Sequence, residues 1–478
     1  MKLRISDHEI RIANVRLRIP FKYGIATMTQ MPYLFLRLVV EIDGRIARGT
    51  AADCLPAKWF TKDPARDVND EVFEMLRVIQ DAADAARGVE GENAFAIWQQ
   101  VYARQSAWGA ESQLPPLLTH FGTSLVERAL IEAVCRDAGK PFASMLRADA
   151  LGVRLGEIHS ALQGSAPRDW LPSAPLPRVI ARHTIGLADP LTDADTPANE
   201  RLDDGLPQSL QACIARYHLR HFKVKVTGQL AVDLERTRRV ASVIEAGTRS
   251  EFAFSLDGNE AFKTVESFRD YWTTLRNEPS LQHFFARLVF VEQPLHRSVA
   301  LAPEVGPPLA AWPDAPPMII DESDGELDSV ARALELGYAG TSHKNCKGVF
   351  KGVANRCLLN FHQRANPLRR FTMSGEDLCG VGPVAVVQDL AVQAALGNES
   401  VERNGHHYVP GLSAFPAAIQ EAMLAAHPDL YARSIGGWPT LQIAQGGIDL
   451  SSVNHAPLGV APELDLSGLA HAADWRWP

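Results

Sequence analysis

The stretch His221-Phe222-Lys223-Val224-Lys225-Val226 alternates with a period of two. In a β-strand that spacing puts Lys223 and Lys225 on one face and Phe222, Val224 and Val226 on the other. Similar short apolar runs that end in polar residues recur on both sides: Val179 to Ile185, Phe252 to Asp257, Leu288 to Glu292, Met318 to Asp321, Tyr338 to Lys344 and Arg370 to Ser374. Helical stretches separate them. A repeated strand–helix rhythm implies a parallel sheet. Seven or eight such units over roughly 230 residues fit a closed barrel.

The first third of the chain has a different texture. Residues 9 to 43 alternate like strands, as in Tyr33-Leu34-Phe35-Leu36-Arg37-Leu38-Val39-Val40-Glu41-Ile42, and Asp43-Gly44 is a hairpin turn. Residues 70 to 150 read as helices, one of them over 125–138 and stopped by Gly139. Strands followed by helices make an α+β unit. Residues 164–176, 188–208 and 295–317 read as insertions or loops. From 409 the rhythm is lost, and the Gly- and Pro-bearing tail is expected to wrap back over the first unit.

Bulk properties exclude some partners. With a net charge of −8 over 478 residues, the chain has no electrostatic footprint for nucleic acid or an anionic membrane. The N-terminus lacks an apolar signal core, and no run is long enough to span a bilayer. The six cysteines are scattered, with no C-x-x-C pair, which points to reduced thiols and a cytoplasmic location.

The strand ends carry the chemistry. Three successive strands end in Asp257-Gly258-Asn259-Glu260, Glu292-Gln293-Pro294 and Asp321-Glu322-Ser323. Each delivers one acid to the same rim of a barrel. Hard cations such as Mg²⁺ take oxygen ligands and keep positions for water and substrate. The alternative for Asp257 and Asp321 is helix capping, which Glu292 fits poorly. For Lys223 and Lys225 the alternative is a half-exposed strand with solvated amines. The next strand ends Ser342-His343-Lys344-Asn345-Cys346-Lys347-Gly348, which places Lys344 across the mouth from the lysine pair. His343 is turned away by alternation. Glu376 could add a carboxylate to the rim or serve a helix N-terminus.

These motifs, in this order, resemble the enolase superfamily, and within it the muconate-lactonizing-enzyme-like subgroup of the mandelate racemase/muconate lactonizing enzyme family. The intervals between Asp257, Glu292, Asp321 and Lys344 are 35, 29 and 23 residues, about one strand–helix unit each. Pro20-Phe21-Lys22-Tyr23-Gly24 resembles that family's first mobile loop. The resemblance implies an α/β fold, a modified TIM barrel (β/α)7β over 178–415, with an α+β capping domain over 1–150 completed by 416–478. It implies Mg²⁺ on Asp257, Glu292 and Asp321, with Asn259 and Glu322 behind them. Lys225 and Lys344 would be the acid/base pair and Lys223 a fixed charge beside a substrate carboxylate. Tyr23, Thr27, Asp53, Lys58 and Glu376 would select the substrate. The implied partner is a small carboxylic acid, and a homo-oligomer is expected.

The implied reaction removes the proton alpha to a carboxylate, giving racemisation or epimerisation, dehydration or cycloisomerisation. Lys347 competes with Lys344 for the second acid/base role. Two other classes stay open at this point: a barrel that binds an acid without turnover, and a metal-independent Schiff-base aldolase.

Overall fold

The computed structural model describes residues 1–23, 25–249 and 251–477. Three long antiparallel strands open the chain: β1 (Leu3–Tyr23), β2 (Ala26–Ile42) and β3 (Arg45–Cys54). Asp43 and Gly44 both have positive φ, 47° and 81°, the conformation a two-residue hairpin needs, so β2 and β3 pair without a shift from Ile42↔Arg45 to Tyr33↔Cys54. The helices α1 (Val68–Ala86), α2 (Ala94–Glu111) and α3 (Pro116–Ala138) cover this sheet.

Helix α3 starts at Pro116, nine residues before the sequence reading placed it. The segment 116–124 carries Thr, His, Gly and Ser among its apolar residues, which masked the helical period. Proline suits the first helical turn, and Gly139 closes the helix in the left-handed conformation, φ 60°. Nearly all of α3 is buried, because β3 and α1 press on it from two sides. A Cβ on Gly49 would lie 1.9 Å from the Ala129 carbonyl oxygen, and one on Gly122 would lie 2.4 Å from that of Val78.

The second unit is the barrel. Its strands are β4 (Arg178–Ile185), β5 (His221–Lys225), β6 (Ala253–Asp257), β7 (Leu288–Glu292), β8 (Met318–Ile320), β9 (Gly340–His343), β10 (Thr372–Gly375) and β11 (Ser400–Arg403). All pair in parallel with their neighbours, and β11 pairs with β4 to close the ring. The helices between them are α4 (Leu210–Tyr217), α5 (Leu230–Thr248), α6 (Val265–Arg276), α7 (Gly306–Ala310), α8 (Ser329–Leu336), α9 (Val349–Ala365) and α10 (Ala385–Leu396). The fold is a (β/α)7β barrel with an α+β cap, as expected.

Strand β11 was not among the runs picked out from the sequence. Ser400-Val401-Glu402-Arg403 has one apolar residue; Glu402 faces the polar barrel interior and accepts from Lys223, while Arg403 turns to the helix side and pairs with Asp389 of α10. The outward positions Phe222, Phe254, Leu256, Val291 and Ile320 are buried under the helices.

The C-terminal tail divides its contacts. Gly447–Asp449 pairs antiparallel with the start of β4, and Ala470–His471 pairs with β1. Trp475 then donates its indole N–H to Asn14 at 3.0 Å. No helix among the described residues is long and apolar enough to cross a membrane.

Candidate active site

In barrels of this type, chemistry sits where the strands end. Here the C-terminal rim collects Lys223 and Lys225 from β5, Asp257 from β6, Glu292 from β7, Asp321 after β8, Lys344 after β9, Glu376 after β10 and Glu402 from β11. All but Lys225 are no more than 4% exposed. The period-two argument for β5 holds, since Phe222 and Val224 are buried on the helix side while both lysines reach rim carboxylates.

The Lys223 ammonium is the hub. It donates to Glu292 at 2.8 Å, Glu376 at 3.0 Å and Glu402 at 3.2 Å, and lies 3.3 Å from Asp257. Burial alone would lower its pKa, but these carboxylates outweigh burial and hold it well above the ordinary lysine value. Lys225 donates to Asp257 at 2.5 Å and to Asn259 at 3.3 Å. Lys344 donates to both oxygens of Asp321 at 2.6 Å and to Glu376 at 2.9 Å. For both, burial is again overcome by carboxylates and the net shift is upward. As the rim stands, both candidate bases are held as ammonium groups.

Glu292, Asp321 and Glu376 each present an oxygen within 4.8 Å of the others. An all-carboxylate set of this kind is the donor chemistry of a hard divalent cation. Its charge is also unbalanced. Burial and then the neighbouring Glu376 drive the Glu292 carboxyl well above its usual range. Glu376 itself goes the other way, because Lys223, Lys344 and Arg182 overcome its burial. The residues present therefore fit such an ion. Asp257, the third acid the sequence pointed to, is adjacent but spends its oxygens on Lys225, on Lys223 and on the backbone N–H of Asn259 at 2.9 Å.

The neighbours divide by role. Asn259 anchors the β6 exit through Val226 O at 2.9 Å. Glu322 lines the cavity, and burial, helped by Asp321, pushes its carboxyl up to about 8. Lys347 turns inward below the rim, to Asp321 O at 2.7 Å and Ser342 Oγ at 2.8 Å, with Asp321 Oδ1 also at 2.8 Å. It does not line the cavity, whereas Lys344 does. His343 faces the helix layer, where a Cβ on Gly352 would touch its ring at 2.3 Å.

A cavity of about 650 Å³, open to solvent, stands over the rim and is lined by Lys223, Lys225 and Lys344. Its roof comes from the antiparallel sheet: Phe21, Tyr23 and Met28 from the β1–β2 hairpin, and Lys58 and Trp59 from the segment after β3. Phe21 stacks on Tyr408 with ring centroids 4.1 Å apart, and Tyr23 donates to Ala57 O at 2.6 Å. Trp59 lies 5.2 Å from the Lys344 ammonium. Of the expected selectivity residues, Tyr23 and Lys58 are in this wall. Thr27 and Asp53 are not among its lining residues. Thr27 is exposed, and Asp53 is buried against Arg128 at 3.0 Å. Gly24 of the hairpin lies outside the described residues.

Two residues here had little or no signal in the sequence. Arg182 on β4 donates to Ser374 Oγ at 2.6 Å and to Glu376 at 3.1 Å. Glu402 holds Lys223 and accepts from Thr184. The first sits mid-strand, with no strand-end cue. The second lies on the strand that was not recognised.

No family model matches the sequence, and no curated protein matches it. Solved structures do. A 2-chloromuconate cycloisomerase from Rhodococcus opacus 1CP superposes with TM-score 0.59 at 16% identity, covering 93% of this chain and 94% of that one. A dipeptide epimerase from Enterococcus faecalis V583 gives 0.58 at 13% identity, covering 95% and 99%. An enolase from Bradyrhizobium, complexed with magnesium and mandelic acid, gives 0.56 at 12%, covering 99% and 97%. At these identities the likeness is one of fold. It runs over nearly the whole chain and agrees with the barrel-and-cap fold that the motifs implied.

Proposed function

We propose that this chain is a Mg²⁺-dependent acid/base enzyme that removes the proton alpha to a carboxylate of a small organic acid. The products would be those of racemisation or epimerisation, dehydration or cycloisomerisation. The observation that carries this reading is the rim itself: carboxylates converge within 4.8 Å, with the amines of Lys225 and Lys344 in the wall of the same cavity. Solved structures of the same fold include racemases, epimerases and cycloisomerases, two of them holding magnesium with a dipeptide or mandelic acid.

An α-proton is weakly acidic because the enediolate left behind carries two negative charges. Glu292 and Asp321, with Asp257 or Glu376 as the third acid, would hold the ion, which would supply positive charge to make such an anion accessible. The chain's own residues do the rest. Lys223 presents a buried ammonium to the substrate carboxylate, where the new charge develops. One of Lys225 and Lys344 takes the α-proton and the other, still protonated, returns one. To act as a base, a lysine must shed the proton its carboxylates now stabilise, so neutralising those acids is a precondition for turnover. Trp59, Tyr23 and Met28 form the apolar part of the wall above the reacting face.

The test is α-proton exchange. The protein is incubated in D₂O with Mg²⁺ and a panel of carboxylic acids, and washout is followed by NMR. Exchange that disappears in Lys225→Ala and with EDTA supports the reading. Binding without exchange over a broad panel defeats it in favour of a non-catalytic binder. Borohydride trapping of a carbonyl substrate, indifferent to EDTA, defeats it in favour of a Schiff-base aldolase.

A further inference from the structure

The cavity wall contains acceptors that nothing among the described residues satisfies. Both carboxylate oxygens of Asp377 are buried without a hydrogen bond, and so is Oδ1 of Asn404. Each residue is 5% exposed and lines the same cavity as the lysines. An unmade hydrogen bond to a buried acceptor costs about 1–3 kcal/mol, and more for a charged one. A site that keeps three such atoms calls for a ligand that donates.

The local charge says which kind of donor. The cation nearest Asp377 is Arg403, whose Nη1 stands 3.5 Å away without forming a hydrogen bond. That guanidinium is shared, because its other terminal nitrogen pairs with Asp389. One cation thus faces two carboxylates. Glu402, the next acid, is taken up by Lys223 at 3.2 Å and by Thr184. Lys344 also faces Asp377 but spends its donors on Asp321 and Glu376. The loop that carries the acid is tied to the neighbouring sheet. The Cys54 thiol donates to the carbonyls of Leu378 at 3.0 Å and Cys379 at 3.1 Å, pinning the loop to β3.

We infer that the substrate of the proposed acid/base site carries an ammonium group, received by Asp377 and Asn404 while its carboxylate lies by the lysines. The substrate class is then an amino acid or an amine-bearing acid rather than a neutral hydroxy or hydrocarbon acid. This inference rests on the proposed function for the placement of the carboxylate.

The test uses matched acids and the full-length protein with Mg²⁺: 2-phenylglycine against mandelic acid, and N-α-acetyl-lysine against N-acetyl-norleucine. Binding is measured by calorimetry and α-proton exchange by NMR, separately. A charge-assisted contact in a buried site is worth about tenfold or more in affinity. The expected result is that in at least one pair the ammonium acid binds about tenfold tighter, and that this ratio falls towards one in both Asp377→Asn and Asn404→Leu. Neutral acids binding as well or better in both pairs would overturn the inference, as would a ratio that survives both substitutions. The wild-type comparison decides even if a variant fails to fold. A preference for ammonium acids without exchange would leave the subsite standing and remove the acid/base reading. Exchange confined to neutral acids would do the reverse.

Discussion

Replacing Lys223 with methionine should tighten Mg²⁺ binding while abolishing turnover. The Lys223 ammonium lies 2.8 Å and 3.0 Å from Glu292 and Glu376, two of the three convergent acids, so an ion on those acids would share ligands with it. A single positive charge roughly 5 Å from a double one, at an effective dielectric constant of about 20, repels it by about 7 kcal/mol. Relaxation and partial protonation of the acids absorb much of that. One fifth of it is still a tenfold change in Kd. Without metal the same substitution should destabilise the fold by about 3–5 kcal/mol, since four buried carboxylates lose their common counter-ion. The assay is calorimetric Mg²⁺ titration of wild type and Lys223→Met, after circular dichroism has shown the variant folded, paired with urea unfolding in EDTA. A folded variant that binds Mg²⁺ no tighter, or more weakly, would refute the reasoning that lysine and metal compete for one set of acids.

Four further outcomes are expected. Lys344→Met should lower α-proton exchange by a thousandfold or more. Lys347→Met, which removes a buried charge from outside the cavity wall, should cost mainly stability, about 3–5 kcal/mol by chemical unfolding. His120 stacks on Tyr102 with ring centroids 3.7 Å apart, and burial pushes its pKa down to about 3. Its stabilising contribution is complete above the unfolded value of about 6.5 and is lost as pH falls towards 3, so His120→Gln should flatten the stability profile by about 2 kcal/mol at pH 5. Gly49→Ala puts a methyl 1.9 Å from Ala129 O, and thermal melting should show a loss of about 2–4 kcal/mol as α3 is pushed off β3.

Much of this architecture was legible because two physical signals are local. Alternation identified β5 and the faces of its lysines, and the positive φ that Asp43 and Gly44 supply identified the β2–β3 hairpin. Strand-end acids were legible for the same reason, since a βα barrel exports its strand termini to one rim. What stayed hidden was set by tertiary context. Strand β11 is four mostly polar residues, and only ring closure against β4 makes it a strand. Arg182 could not be read as part of the site, because its reach to Glu376 spans β11, the strand that joins β4 to β10 only on closure of the ring. Nor does sequence say how the charges are apportioned, which here draws Asp257 to the lysines and brings Glu376 into the convergent set. Asp53 looked like a wall residue by position, yet its ion pair with Arg128 binds β3 to α3 instead.

The β1–β2 hairpin roofs a rim that it does not build. Phe21, Tyr23 and Met28 can be exchanged, lengthened or shortened without displacing an amine or a carboxylate, because those are fixed by the barrel strands beneath. On the proposed reading, the part of the wall that this hairpin contributes can vary apart from the acid/base groups, whereas Asp377 and Asn404 belong to the barrel itself. A roof that rests on a scaffold fixed elsewhere is the part of such a cavity that tolerates change most readily.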